Sequence, residues 1–275
     1  MLASSRQLAL GFVHGKQALG AATRAASIMA ARKPCVDENW EVHPQREGVR
    51  VEVATVNDRN QLLDFFLREF SAREPICEQL GVTESELAEF AEWRVDKALK
   101  LPYTMLAYDE DELCGVLVNT IKQNDRSKIQ FPPQGDVHKG DDKIYSTRRM
   151  DYWGTLLDRV ESMSPYFLPR EVQHVLHIEM GTVLKRVEQK GVLKKMLVKT
   201  AKEATRDGLE YADSVVTARG STGACVRVGM NKPFFISYRN VIDQGKPIFT
   251  RPMIDGCTEI SLVVGSLKTM AKAQV

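Results

Sequence analysis

The sequence predicts a mixed α/β fold in which helices cover both faces of one sheet. Three observations lead there. Runs of strand length that alternate apolar and polar residues recur along the chain, helical runs with apolar residues at i, i+3 and i+4 fall between them, and no internal repeat or second core interrupts the series. With 275 residues, 43% of them hydrophobic, the chain can bury a substantial core.

The elements run β-α-α-β-β-α-β-α-β-α-β-β. "VRVEVATV" (49–56) alternates as a strand, and "DRNQLLDFFLREF" (58–70) follows with amphipathic helical spacing. "TESELAEFAEWRVDKAL" (83–99) opens with Thr83 and Glu86 in capping-box spacing, a sharp helix start. "YTMLAYD" (103–109) and "ELCGVLVNTIK" (112–122) predict a hairpin across an acidic turn. Residues 123–149 are polar, carry Pro and Gly and show no period, which suits a lid, a binding loop or disorder. "MDYWGTLLDRVESM" (150–163) predicts a helix, "EVQHVLHIEMGTV" (171–183) a strand, and the lysine-rich run after Gly191 another helix. "YADSVVTA" (211–218) predicts a strand, "STGACVRV" (221–228) a short helix, and "FFISYRNV" (234–241) and "EISLVVGSL" (259–267) the last strands. One domain over 49–268 is expected, after a leader or tail (1–36) and a linker (37–48) and before a short C-terminal tail (269–275).

Composition excludes several classes. Net charge is +2, and the first 36 residues hold five basic side chains and no acid, so the body is slightly acidic and no nucleic-acid surface is expected. Five scattered cysteines without a CxxC pair predict reduced thiols and no zinc site, and no HExxH occurs, so no metal is expected. No window approaches 18 apolar residues, so no membrane span is expected. The Ala-, Ser- and Arg-rich start has the composition of a mitochondrial transit peptide. The compartment is therefore cytoplasmic, or mitochondrial if residues 1–34 act as a leader.

"TVLKRVEQKGVLKKML" (182–197) contains a conflict. Leu193, Met196, Leu197, Thr200, Ala201 and Ala204 form the core stripe of a helix, while Lys195, Lys199, Lys202 and Arg206 form a solvated face. Lys190 and Lys194 sit at its start, and Glu203 and Asp207 at its end, against the helix dipole at both ends. A bound anion at the N-terminus resolves the conflict, since its oxygens accept the free N–H groups and neutralise the lysines. Gly191 admits a close approach, but neither a dinucleotide fingerprint nor a P-loop is present.

Val183 followed by "EQKGVL" (188–193) resembles the coenzyme A pyrophosphate loop, [QR]xxGx[GA], of the GNAT superfamily of acyl-coenzyme A-dependent N-acetyltransferases. Glu188 and Leu193 depart from that pattern. "STGACVRVGM" (221–230), "YRNVIDQGKPIF" (238–249) and "FFLREFSAREPICEQLG" (65–81) resemble, in order, segments of the insect- and nematode-type arylalkylamine N-acetyltransferases. The resemblance implies a mostly antiparallel sheet of six to seven strands, splayed at the acyl-CoA site, in a monomer that moves an acetyl group from acetyl-CoA to a small primary amine.

It also implies roles. Glu74 matches the proposed general base, and Thr217 and Ser221 match two catalytic hydroxyls. Ser221 is equally placed to cap the following helix. Other members place a catalytic His or Glu at the position of His177, so a relay through Glu74, His177 or Glu179 is implied. Strand alternation puts His177 and Glu179 on one face, with Gly181 and Val183 beside them if the strand stays regular. Thr182 and Val183 would hold the pantetheine arm through backbone groups, Gln189, Lys190, Gly191, Val192, Leu193 and Lys194 would hold the diphosphate, and Cys225 stands where many members carry a general-acid Tyr. Tyr103, Tyr145, Tyr152 and Trp153 are candidates for an amine pocket. The alternatives are a polyamine or lysine acetyltransferase, or a degenerate domain serving as a binding module.

Overall fold

The computed structural model describes residues 48–129 and 145–275. The leader, the linker up to residue 47 and most of the predicted 123–149 loop lie outside the described residues. Strand β1 (Arg50–Val53) leads into α1 (Arg59–Ser71), α2 (Pro75–Leu80) and α3 (Glu84–Ala98), and the hairpin β2 (Met105–Asp109) and β3 (Glu112–Gln123) follows. Next come α4 (Arg148–Glu161), α5 (Ser164–Phe167), β4 (His174–Val183), α6 (Val192–Arg206), β5 (Tyr211–Val216) and α7 (Arg219–Arg227). Strand β6 (Asn231–Ser237), a small ladder of β7 (Ile242–Asp243) and β8 (Lys246–Pro247), β9 (Glu259–Ser266) and α8 (Leu267–Met270) complete the order.

Seven strands form one sheet in the order β1-β2-β3-β4-β5-β9-β6, antiparallel throughout except where β4 lies parallel to β5. Parallel neighbours need a crossover, which α6 supplies. Helices α1, α3 and α4 cover one face, where Phe70 and Phe90 meet Trp153 edge-on with ring centres 6.5 and 4.4 Å apart, and α6, α7 and α8 cover the other.

Local chemistry explains the helix starts. Thr83 and Glu86 form the expected capping box. Helix α2, which the sequence reading passed over, has Glu74 as N-cap, Pro75 as its first residue and Gly81 in left-handed conformation at its end. Beyond Ser237 the predicted strand to residue 241 turns instead into a single 3-10 turn at Tyr238–Asn240. The α6 core stripe is the expected one, save that Val192 and Val198 are buried while Leu193 is only half-buried. Its outer face is not wholly solvated, because the Lys199 ammonium donates to the Val51 carbonyl at 2.8 Å.

Candidate active site in the split sheet

Strands β4 and β5 pair only where Leu176, His177 and Ile178 meet Ala212, Asp213 and Ser214. Past that point β4 runs on to Val183 and β5 to Val216 without pairing to each other. A cleft of about 610 Å3, its open mouth included, fills the gap. Phe70, Phe90, Trp153 and Leu157 line it from the α1–α4 side, and Leu193, Leu197, Ser221 and Cys225 from the α6–α7 side. The opening thus connects both faces of the sheet.

A bulge sets which side chain goes where. Met180 faces Val118 and Ile178 faces Asn119, so Glu179 is the extra residue of β4. His177 and Glu179 share the α1–α4 side as expected, with Glu179 Oε2 3.8 Å from His177 Nε2. The bulge then shifts the alternation, and Gly181 and Val183 fall on the α6 side rather than beside them. There a Cβ on Gly181 would come within 2.8 Å of Leu117 Cδ1 and 3.6 Å of Leu193 Cδ1.

Glu179 reaches the cleft with a tight set of partners. The Thr120 hydroxyl donates to its Oε1 at 2.6 Å and Arg94 Nε to its Oε2 at 3.3 Å, while the Arg94 guanidinium stacks 3.4 Å from the Phe90 ring centre. His177 does not line the cleft. It stands behind Glu179, with Nδ1 2.8 Å from Asp213 Oδ1 and Nε2 3.6 Å from Glu161 Oε2. Lys122 Nζ lies 2.7 Å from Asp213 Oδ2 and 2.9 Å from Glu161 Oε1, and the Ser164 hydroxyl also donates to Asp213. Burial alone would lower the His177 pKa, but Glu161, Asp213 and Glu179 together raise it against the repulsion of Lys122. Burial would likewise raise the Asp213 pKa, yet Lys122 and His177 hold it well below the usual carboxylate range. This buried charge group was missed from sequence, although Lys122 and Asp213 inside apolar strands were a visible sign of buried, paired charges.

Glu74 is buried at the α1–α2 junction. Its Oε2 accepts the Cys77 N–H at 2.6 Å, whereas Oε1 is buried without a partner of hydrogen-bond geometry. Burial raises its pKa, and Thr217 and Cys77 partly oppose the rise by favouring the ionised form. Thr217 lines the cleft, whereas Glu74 itself does not.

Ser221 is not an N-cap. Helix α7 starts at Arg219, two residues earlier than expected, and the Ser221 hydroxyl donates to the Ala218 carbonyl at 2.9 Å on the cleft wall. Cys225 is buried there with its pKa pushed up to about 12, so it keeps its proton at neutral pH. Among the aromatic candidates only Trp153 lines the cleft. Tyr103 is fully buried and donates to Asp207 at 2.8 Å, Tyr145 packs on Phe90 with centres 6.4 Å apart, and Tyr152 donates to Asp243.

The loop before α6 runs from Glu188 to Gly191. Gln189 and Gly191 both have positive φ, 62° and 78°, and no acidic residue or side-chain cap occupies the first turn. Gln189 and Lys190 are exposed, Gly191, Leu193 and Lys194 half-buried. Val192 points into the core, so only its backbone is offered. Leu184 N donates to Cys114 O at 2.8 Å, so alternation turns the backbone groups of Thr182 toward β3 and those of Gly181 and Val183 toward the open edge. Arg73, also unforeseen, crosses this edge, donating to the Val183 carbonyl at 2.7 Å and pairing with Glu188.

Among the described residues no group of three potential ligands gathers as a metal site, the cysteines Cys77, Cys114, Cys225 and Cys257 are free, and no helix is long and apolar enough to cross a membrane. No protein-family model and no curated protein matches the chain. Solved structures match the fold. The polyamine N-acetyltransferase of Drosophila melanogaster, which forms N-acetylagmatine, aligns with TM-score 0.63 at 15% identity over 80% of this chain and 100% of its own. Arylalkylamine N-acetyltransferase 2 of Aedes aegypti aligns with TM-score 0.60 at 16% identity over 80% and 99%. The C-terminal condensation domain of Ebony, solved with β-alanyl-dopamine, aligns with TM-score 0.61 at 11% identity over 80% and 99%. The chain has the GNAT-type N-acetyltransferase fold.

Proposed function

We propose that the protein transfers an acetyl group from acetyl-CoA to a primary amine, and that the amine is an arylalkylamine. The opening between β4 and β5 carries this reading. It exposes strand-edge N–H and C=O groups to an extended amide-bearing arm from the α6 side while leaving the α1–α4 side to a second reactant.

The residues present suit the coenzyme. Lys190, Lys194 and the N–H groups around Gly191 suit a diphosphate, and the misfit of Glu188 beside them is offset by its pairing with Arg73. Gly181 and the Val183 N–H remain to hold the pantetheine arm, since Arg73 occupies the Val183 carbonyl. Bound there, acetyl-CoA supplies the thioester carbonyl that the amine attacks.

The acceptor reaches neutral pH as an ammonium and has to lose a proton. Glu74, its pKa raised by burial, accepts that proton, directly or through water. Glu179 supplies the negative charge on the cleft wall, and the hydroxyls of Thr217 and Ser221 orient the reactants. Cys225 is too weak an acid and too buried to act as a nucleophile, so transfer is direct.

The cleft favours an aromatic acceptor over a polyamine. Phe70, Phe90 and Trp153 form its acceptor side, and Glu179, the sole carboxylate among the lining residues, already answers Arg94. A second or third ammonium would find no charge partner there. Thiol release from acetyl-CoA with dopamine, serotonin, tyramine and spermidine tests the reading. Turnover with the aryl amines is expected. Silence with every amine from a folded protein would remove the enzyme, and calorimetry with coenzyme A would then separate a binding module from an inert scaffold. Faster turnover of spermidine would replace the acceptor class.

A further inference from the structure

The seven-stranded sheet is built from two halves, β1 to β4 on one side and β5, β9 and β6 on the other. Each half is paired within itself, β3 with β4 from Gly115 to Gln123 and β5 with β9 along the whole of β5. Between the halves the ladder spans only the rungs at Leu176, His177 and Ile178, to which the Ser214 hydroxyl adds a bond to the Ile178 carbonyl at 2.9 Å. The buried charge group lies on the middle rung, and its signs divide by half. The cations, Lys122 on β3 and His177 on β4, belong to the first half. The anions belong to the second, since Asp213 is on β5 and Glu161 is on α4, which packs on β5, β6 and β9. Each Asp213 oxygen meets one cation, Oδ1 with His177 Nδ1 at 2.8 Å and Oδ2 with Lys122 Nζ at 2.7 Å. Glu161 repeats the arrangement, with Oε1 2.9 Å from Lys122 Nζ and Oε2 3.6 Å from His177 Nε2. Two cations thus face two anions across the point where the sheet begins to split.

We infer that His177 is a proton-operated lock: protonated, it holds the two half-sheets together at the apex of the split, and coenzyme A bound in the split favours that locked state. The part concerning coenzyme A rests on the site proposed above, whereas the seam of charges does not. So short a stretch of parallel ladder is a weak joint, and the charges across it bear on how far the strands diverge beyond it. Asp213 faces Nδ1 and fixes the proton there, so the proton exchanged with solvent is the one on Nε2, beside Glu161, whose side chain is 35% exposed. The charged groups facing the imidazole are Asp213 from β5, Glu161 from α4, Lys122 from β3 and Glu179 from its own strand, with Arg94 of α3 bound to Glu179. Burial opposes a proton on His177, but Glu161, Asp213 and Glu179 outweigh it together with the repulsion of Lys122. Without that proton a single ammonium faces both carboxylates, and the attraction across the apex weakens. The lock is therefore closed at low pH and released as pH rises through the His177 midpoint. The cleft that suits the coenzyme is the one formed with these contacts made, which is why coenzyme A favours the closed form.

The experiment uses the full chain and coenzyme A itself. The ring nitrogens of His177, identified by their loss in His177→Gln, are titrated by NMR with and without coenzyme A. Coenzyme A is expected to raise the midpoint by about 0.7 unit or more, and by reciprocity its affinity in calorimetry should fall about fivefold or more from below the midpoint to above it. In His177→Gln this part of the pH dependence should vanish, leaving only that of the coenzyme's own phosphates. A midpoint that bound coenzyme A does not move overturns the link, as does a His177 that fails to titrate before the protein unfolds in alkali. Hydrogen exchange in the unsubstituted protein, with no ligand, reads the lock alone. The amides bonded across β4 and β5 should lose protection as pH rises through the His177 midpoint, while those of the β2–β3 hairpin keep theirs. Protection that persists across β4 and β5 overturns the lock whether or not the coenzyme binds. Absence of coenzyme A binding at every pH overturns the link and the site it rests on, and the exchange result then decides the lock, so the two readings fail separately.

Discussion

Replacing Lys122 by Met is the most direct test of the buried charge group behind the cleft. The ammonium bridges Asp213 and Glu161 at 2.7 and 2.9 Å, with 19% of the side chain exposed and the Asp213 side chain fully covered. Met keeps the stem and removes the charge, leaving two carboxylates that share one histidine. Removing one member of a buried pair costs about 3–5 kcal/mol, because the remaining charge is stranded in a poor solvent. The cost should depend on pH. In the native protein His177 has a raised pKa, so its proton contributes stability that is fully present below the unfolded value of about 6.5 and disappears as pH rises through the folded value. Lys122 opposes that proton, and without it Glu161 and Asp213 hold the proton to still higher pH. Stability of the variant then falls over a wider pH window than that of the native protein, and the loss is larger at pH 8 than at pH 6. Urea denaturation at both values measures this, with the slope against urea confirming that the unfolded states compare. A loss under about 1 kcal/mol, or an equal loss at both pH values, would show that the ammonium is solvated rather than a member of a closed network.

Three further outcomes are expected. Glu74→Gln should lower turnover by about 10²- to 10⁴-fold while coenzyme A affinity by calorimetry stays within about threefold; in the unsubstituted protein, the proposed activity should be lost as pH falls through the raised Glu74 pKa. Arg73→Met should weaken coenzyme A binding several-fold by leaving Glu188 unpaired beside the diphosphate. Adding Glu188→Gln should recover most of that loss, and the loss should shrink in high salt as exposed charges are screened. Gly191→Val places a β-branched residue at φ 78°, which costs of order 1–3 kcal/mol, and should weaken coenzyme A binding more than it lowers the melting temperature would suggest, as the strained turn relaxes away from the anion-binding shape.

Periodicity carried the order of the elements, because each long strand and helix buries one face and its apolar residues repeat accordingly. It failed where a few residues decide. Helix α2 is too short to show a period, yet "EPICEQLG" (74–81) held all its signals: an acid to cap, a proline to start and a glycine to stop. The bulge at Glu179 was invisible for a different reason. A one-residue slip leaves no mark in composition, and it alone decides that Glu179 faces the aromatic side while Gly181 faces α6. Long-range partners were the third blind spot. Arg73 and Glu188 are 115 residues apart, and Glu188 read alone is a carboxylate placed where a phosphate should bind. Only folding brings the guanidinium across the strand edge to neutralise it. The same contact joins the segment carrying Glu74 to the loop expected to carry the diphosphate. A departure from the sequence pattern of one loop is thus compensated by a residue adjacent to the proposed base, which couples the two segments of the proposed site mechanically.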